Sequence, residues 1–294
     1  MSSLGLAGSF VALITPMNDD GSVDLEGLKH LTQWHIAQGT NGLVVLGTTA
    51  ETATLSESEQ ALVLDTVIAE NQGRLPIIVG NGSNCTRTTV EKTKHLNELA
   101  IDGYLTVTPY YNKPTQKGMI EHFKAVAEAT DKPIILYNVP GRTGVDLSNE
   151  AVFELMKVEN IVAIKDATGD LTRVSAMKKE NPSFLLFSGD DISSKDYLLQ
   201  GGNGVITVTG NVEPALMSDM VSAAINGDEK QASLLDDKLS LLHTDLFIEP
   251  NPVPAKWALR QKQLISSAMV RLPLLPLEPN SENAIKEALN RANN

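Results

Sequence analysis

The 294-residue chain has a single cysteine, Cys85, so no internal disulfide can form and nothing ties it to an oxidising compartment. Aromatic residues make up only 4% of it, which makes any clustering of tyrosines informative. No apolar run approaches the roughly 20 residues of a membrane helix, and this excludes a helical membrane protein. Basic residues are outnumbered, 24 Lys and Arg against 36 Asp and Glu, for a net charge of −12. Such a balance argues against non-specific nucleic-acid binding while leaving room for a local basic pocket that takes a small anion. The start, Met1-Ser2-Ser3-Leu4-Gly5, lacks the basic region and apolar stretch of a secretory signal, so cytoplasm is the expected location. Two motifs are also missing. Thr15-Pro16-Met17-Asn18 stands where a dinucleotide site would place Gly-x-Gly-x-x-Gly, and His30, His35, His95, His122 and His243 show no metal-ligand spacing.

What is present reads as repeated βα units. Apolar residues are 42% of the chain and charged residues 20%, enough for an ample core. Eight short apolar segments bounded by turn residues, at 9–17, 42–47, 76–80, 104–109, 133–139, 161–165, 184–188 and 205–209, alternate with stretches of helical period. Eight parallel strands suit a closed barrel, but an open doubly wound sheet holds as many, and periodicity does not separate the two. Ser56-Glu57-Ser58-Glu59 predicts a capping box, and Gly73 predicts a left-handed helix end. Asp24 predicts the cap of a helix that ends at Gly39. After about Asn211 the strand pattern stops, and helices at 230–247 and 281–292 flank a proline-rich link at Pro250-Asn251-Pro252-Val253-Pro254.

Lys165 is the residue with the sharpest chemical meaning, because it ends the apolar run Ile161-Val162-Ala163-Ile164 and precedes Asp166-Ala167-Thr168-Gly169. An amine delivered at the end of a buried strand loses proton affinity to its low-dielectric walls, and a neutral amine attacks carbonyl carbon to form a Schiff base. The alternative is a lysine whose stem lies along the core while its head reaches water. Other segment ends are polar too. Gly47-Thr48-Thr49-Ala50-Glu51 offers N–H groups and hydroxyls to a carboxylate, or is an ordinary turn capped by threonine. Tyr137 offers a phenol for proton transfer, or fills the barrel mouth. Tyr110 and Tyr111 join it at segment ends. Arg142 in Val139-Pro140-Gly141-Arg142-Thr143-Gly144 offers a guanidinium to a second carboxylate, or is a solvated surface arginine. Asp190-Asp191 offers two carboxylates to a divalent cation, or caps a helix before Ile192-Ser193-Ser194. Trp34 and Trp257 read as core.

Taken together, Gly47-Thr48-Thr49-Ala50-Glu51, Tyr110-Tyr111-Asn112-Lys113-Pro114, Tyr137 to Gly144, Ile164 to Gly169 and Ser188-Gly189-Asp190-Asp191 resemble the dihydrodipicolinate synthase family. The resemblance runs from about Gly8 through the C-terminal helices, in order and with family spacing. It implies a TIM (β/α)8 barrel of the class I pyruvate aldolase and N-acetylneuraminate lyase superfamily over residues 1–225, with a helical C-terminal extension over 226–294. It implies condensation of pyruvate with L-aspartate 4-semialdehyde in lysine (diaminopimelate) biosynthesis, without a cofactor or a metal. By motif match Lys165 is the Schiff-base lysine, and Tyr137, Thr48 and Tyr111 form a proton relay, Tyr111 reaching into a neighbouring subunit. Thr49 takes the pyruvate carboxylate and Arg142 the semialdehyde carboxylate, with Gly189 and Ile206 lining the pocket. Shared sites imply a homotetramer, a dimer of dimers.

Two departures from the pattern matter. The family usually has glycine where Ala50 stands, and alanine tolerates positive φ poorly. The feedback site for lysine maps to Thr52, Ala53, Glu57, Gln60, Asn84, Thr88 and Tyr110, but Gln60 and Thr88 stand where inhibited members commonly supply a histidine and a glutamate. Weak or absent inhibition by lysine is the expectation. Two rivals share much of this reading: a sister aldolase such as N-acetylneuraminate lyase or a 2-keto-3-deoxy sugar acid aldolase, and a non-catalytic barrel that senses a small carboxylate.

Overall fold

A computed structural model describes residues 5–293, so the residues read for a targeting signal, Met1 to Leu4, lie outside it. Eight strands, β1 (Gly8–Ala12), β2 (Gly42–Val45), β3 (Ile77–Gly80), β4 (Gly103–Val107), β5 (Ile134–Asn138), β6 (Ile161–Asp166), β7 (Leu185–Ser188) and β8 (Gly204–Thr207), pair in chain order. Every pairing is parallel, and β8 returns to β1 with Phe10 opposite Ile206. Closure decides for the barrel over the open sheet.

Helices fill each crossover: α1 (Leu25–Ala37), α2 (Glu57–Asn71), α3 (Thr86–Leu96), α4 (Gln116–Ala127), the short α5 (Pro140–Thr143) and α6 (Asn149–Leu155), α7 (Thr172–Glu180) and α8 (Ser194–Leu199). After β8 come α9 (Pro214–Ile225), α10 (Glu229–Asp245), α11 (Val253–Gln261) and α12 (Pro279–Ala292), with α10 packed on both α9 and α12. Among the described residues no helix is long and apolar enough to cross a membrane.

Strand alternation builds two cores. Val11, Leu43, Ile77, Leu136, Ile164 and Leu186 face the helices, while Phe10, Val44, Ile78, Ile135, Ala163 and Phe187 fill the barrel. Phe10 and Phe187 meet edge to face, ring centroids 5.5 Å apart. Each lies beside a glycine in register, Gly42 and Gly204, where a Cβ would come within 2.1 Å and 2.7 Å of the ring. The aromatic pair fills the middle of the barrel, beside the strand end that carries Lys165.

The end signals hold with small shifts. Ser56 Oγ accepts the Glu59 N–H and Glu59 returns a carboxylate oxygen to the Ser56 N–H, which completes the expected box. Gln72 takes the left-handed cap of α2 at φ 50, one residue before the predicted glycine, with Gly73 following at φ 72. Asp24 caps α1, which ends at Ala37. The first strand is shorter than predicted because the chain folds back after Thr15-Pro16, and Met17 bridges antiparallel to Val23. β8 also stops early. The N–H groups of Val208 and Thr209 are taken by the Asp191 carboxylate, both at 2.9 Å, instead of by a neighbouring strand.

Candidate active site

Lys165 is the fifth residue of β6, in register with Tyr137 of β5 and Phe187 of β7, and its side chain points into the barrel mouth. It is 5% exposed, with Nζ lying 4.4 Å from the centroid of the Tyr137 ring. A cation held on an aromatic face in a dry site is attracted by the ring quadrupole. Room for the stem comes from Gly189, just past β7. A Cβ there would sit 2.8 Å from Lys165 Cε and 3.0 Å from Cγ, so any side chain at this position displaces the amine. Ile206 of β8 packs in the same inner cluster as Tyr137.

The turn after β2 forms two successive 3₁₀ segments, Thr48–Ala50 and Thr52–Thr54. Thr48 is exposed at the mouth, while Thr49 is buried and its Oγ1 accepts a hydrogen bond of 2.9 Å from Asn251 Nδ2. An accepting hydroxyl keeps its own proton free for an anion. Ala50 does not carry the positive φ expected of its position; Glu51 does, at 55°, and Ala50 instead gives its carbonyl to Thr15 Oγ1 at 2.9 Å. Turn geometry therefore survives the alanine.

Arg142 lies exposed on α5, above the mouth, and Gly144 ends that turn at φ 75. Tyr111 is 88% exposed, with φ of 73°, and Tyr110 is 40% exposed. No hydrogen bond joins Tyr137, Thr48 and Tyr111 among the described residues, so within one chain the phenol of Tyr111 stands apart from Lys165. The remaining sequence candidates are spent on structure. Asp190 caps Ser193, whose N–H it accepts at 3.0 Å, and no group of three or more metal-ligating side chains occurs among the described residues. His35 and His122 are pushed down to about 3 and about 4 by burial, each with Nδ1 on a threonine hydroxyl, Thr40 and Thr86.

Known proteins share this sequence pattern and fold. The model of the dihydrodipicolinate synthetase family matches residues 5–292. This chain belongs to that family. A 4-hydroxy-tetrahydrodipicolinate synthase of Shewanella piezotolerans is 48% identical over 286 residues, 97% of this chain and 98% of the relative. The chloride-inhibited dihydrodipicolinate synthase of Acinetobacter baumannii, solved with pyruvate, superposes with a TM-score of 0.95 at 47% identity, covering 98% of this chain and 99% of that one. The enzyme of the same name from Cyanidioschyzon merolae, solved with lysine bound, gives 0.95 at 35% identity, covering 98% of this chain and 99% of that one.

Among the positions that the resemblance leads one to expect at a lysine feedback site, Gln60 is fully engaged. Its amide nitrogen reaches the carbonyls of Thr52 and Leu55, at 3.4 and 3.1 Å, and its oxygen accepts from Lys92 Nζ at 3.0 Å. Burial lowers the proton affinity of Lys92, and the charge of Glu57 opposes that effect. Four residues near the turn were invisible to the sequence reading: Glu51 as an anchor, Asn251, Lys256 and Arg271. Lys256 left one trace, a lone cation inside Val253-Pro254-Ala255-Lys256-Trp257-Ala258-Leu259.

Proposed function

We propose that this chain condenses pyruvate with L-aspartate 4-semialdehyde to give (4S)-4-hydroxy-2,3,4,5-tetrahydrodipicolinate, the entry into the lysine (diaminopimelate) branch. The observation that carries the proposal is the buried Lys165 amine on the Tyr137 ring, at the mouth of a barrel filled by apolar side chains. Lys165 Nζ adds to C2 of pyruvate, the carbinolamine loses water, and the protonated imine draws electrons as a C3 proton leaves. The enamine carbon then adds to the aldehyde, and the semialdehyde's own amino group displaces Lys165 as the ring closes. Tyr137 moves the protons, with Thr48 and with Tyr111 from a second subunit. An 88% exposed ring suits insertion into another copy, and the assembly is a homotetramer. Thr49 and the N–H groups of its turn hold the pyruvate carboxylate. Arg142 takes the semialdehyde carboxylate, and the backbone of Gly189 and Ile206 lines the floor.

Arg142 also separates this reading from the sister aldolases, whose sugar acceptors carry no carboxylate at that end. Coupled assays should therefore show turnover with aspartate semialdehyde and none with N-acetylmannosamine; the reverse would identify a sugar-acid aldolase. Arg142→Ala should raise KM for the semialdehyde roughly tenfold to a hundredfold, the value of a charge-assisted pair, with KM for pyruvate unchanged. An equal rise for both substrates would remove Arg142 from the acceptor site.

Regulation by lysine should be weak or absent. A free lysine would have to displace the Lys92 ammonium from Gln60 and would meet no carboxylate at Thr88. Titration of L-lysine into the assay checks this, and a submillimolar inhibition constant overturns it.

A further inference from the structure

The turn at residues 47–55 contains a buried carboxylate that the proposed chemistry leaves unused. Glu51 sits between the two 3₁₀ segments in a left-handed conformation, φ 55, which a side chain disfavours unless something holds it. Its side chain is held at both oxygens. Oε1 accepts from Lys256 Nζ at 2.6 Å and Oε2 from the Arg271 N–H at 3.0 Å, with Lys256 itself 0% exposed. Lys256 belongs to α11 and lies 205 positions from its partner. Two further bonds run between the same two parts of the chain: Asn251 Nδ2 to Thr49 Oγ1 at 2.9 Å, and Arg271 Nη1 to the Thr54 carbonyl at 2.7 Å. The Arg271 guanidinium also engages Glu59 and the Gly21 carbonyl.

An ion pair this deeply buried is an inefficient source of stability, because apolar side chains of equal volume serve as well without desolvating two charges. What a charged pair offers instead is direction. Lys256 fixes where the Glu51 carboxylate points, and so fixes the one strained residue of the turn. Burial lowers the proton affinity of Lys256, and the Glu51 charge works against that loss.

We infer that Glu51 and Lys256 are positioning residues for pyruvate capture, through which the C-terminal helical extension clamps the carboxylate-binding turn at Thr49. The inference rests on the reading that this turn binds the pyruvate carboxylate. Displacement of an anion cradle by a fraction of an ångström acts on capture of the first substrate more than on steps that follow the covalent bond.

Steady-state kinetics of the full-length assembled enzyme test it, with Thr49→Val measured alongside. Glu51→Gln and Lys256→Met are each expected to raise KM for pyruvate about tenfold, as misplacement of a binding group does. Within about threefold, kcat should hold, KM for the semialdehyde should not move, and the double variant should cost less than the product of the singles. The pyruvate concentration that half-saturates borohydride trapping on Lys165 should rise in parallel. Lowered thermal stability with unchanged KM for pyruvate would make the pair merely structural and overturn the inference. Should Lys256→Met fail to fold, Glu51→Gln decides alone, since it keeps shape and one acceptor oxygen while removing the charge and one of the two accepted bonds. Thr49→Val separates the two layers. If it leaves KM for pyruvate unchanged, the reading of the turn falls and the clamp with it; if it raises KM while Glu51→Gln and Lys256→Met do not, only the clamp falls.

Discussion

Replacing Lys165 by alanine is expected to lower kcat roughly a thousandfold or more, the cost of removing a covalent nucleophile from a site whose other groups only bind and move protons. Lys165→Arg should be as inactive, because a guanidinium stays protonated and does not attack a carbonyl. Both variants should fold. Among the described residues Lys165 makes no ion pair, and its amine rests on the face of the Tyr137 ring at 4.4 Å, so its removal strands no partner charge. Intact-mass spectrometry after borohydride reduction in the presence of pyruvate should show one adduct per wild-type chain, located to Lys165, and none on either variant. The outcome separates the catalytic reading from a carboxylate-sensing barrel, which would bind pyruvate and trap nothing. Wild-type turnover by Lys165→Arg would end the Schiff-base mechanism outright.

How much of this was readable beforehand follows from the range over which each signal acts. Lys165 was legible because strand and turn chemistry are local: four apolar residues, a lysine, then Asp166-Ala167-Thr168-Gly169. The capping box at Ser56 and Glu59 was legible for the same reason, although the third partner of Glu59 was not. Arg271, 212 positions away, pulls the Glu59 carboxyl down to about 2, helped by the Ser56 N–H. Barrel closure was legible in the family resemblance but not in the periodicity, since eight βα units have one pattern whether β8 meets β1 or stops at an edge. Glu51 sat inside a recognised segment yet had no visible role, because its partner stands on α11, past the last strand. Asp191 was read as a metal or capping carboxylate and serves neither end. Its oxygen holds the backbone that leaves β8, a task that only the folded register discloses.

Arg173→Met should destabilise the fold more than any surface change, by about 3–5 kcal/mol, because it leaves a buried carboxylate without its counter-charge. Asp166 follows the nucleophile on β6, and its side chain is 2% exposed against 8% for Arg173. The Arg173 Nε donates to Asp166 Oδ2 at 2.5 Å and its Nη2 to the Leu147 carbonyl at 2.8 Å. A weaker contact of 3.7 Å reaches Asp146, which in turn accepts from Asn138 Nδ2 at 2.7 Å. One guanidinium thus ties the strand that carries Lys165 to the loop that carries Arg142. With methionine at 173, the Asp166 oxygens would retain the Thr168 N–H at 3.0 Å, too little for a charge excluded from water. Chemical denaturation of the assembled protein should show the loss as a shifted midpoint with an unchanged slope. Adding Asp166→Asn to Arg173→Met should recover part of it, since the residual cost is mostly that of the orphaned charge, and a neutral amide meets its needs with the Thr168 N–H and nearby carbonyls. A single variant within about 0.5 kcal/mol of wild type, the scale of an ordinary surface substitution, would show that water reaches Asp166 and that the pair is no keystone. Because the same cation braces the loop at 139–147, KM for the semialdehyde should rise in Arg173→Met and stay raised in the double variant, where charge balance returns but the brace does not.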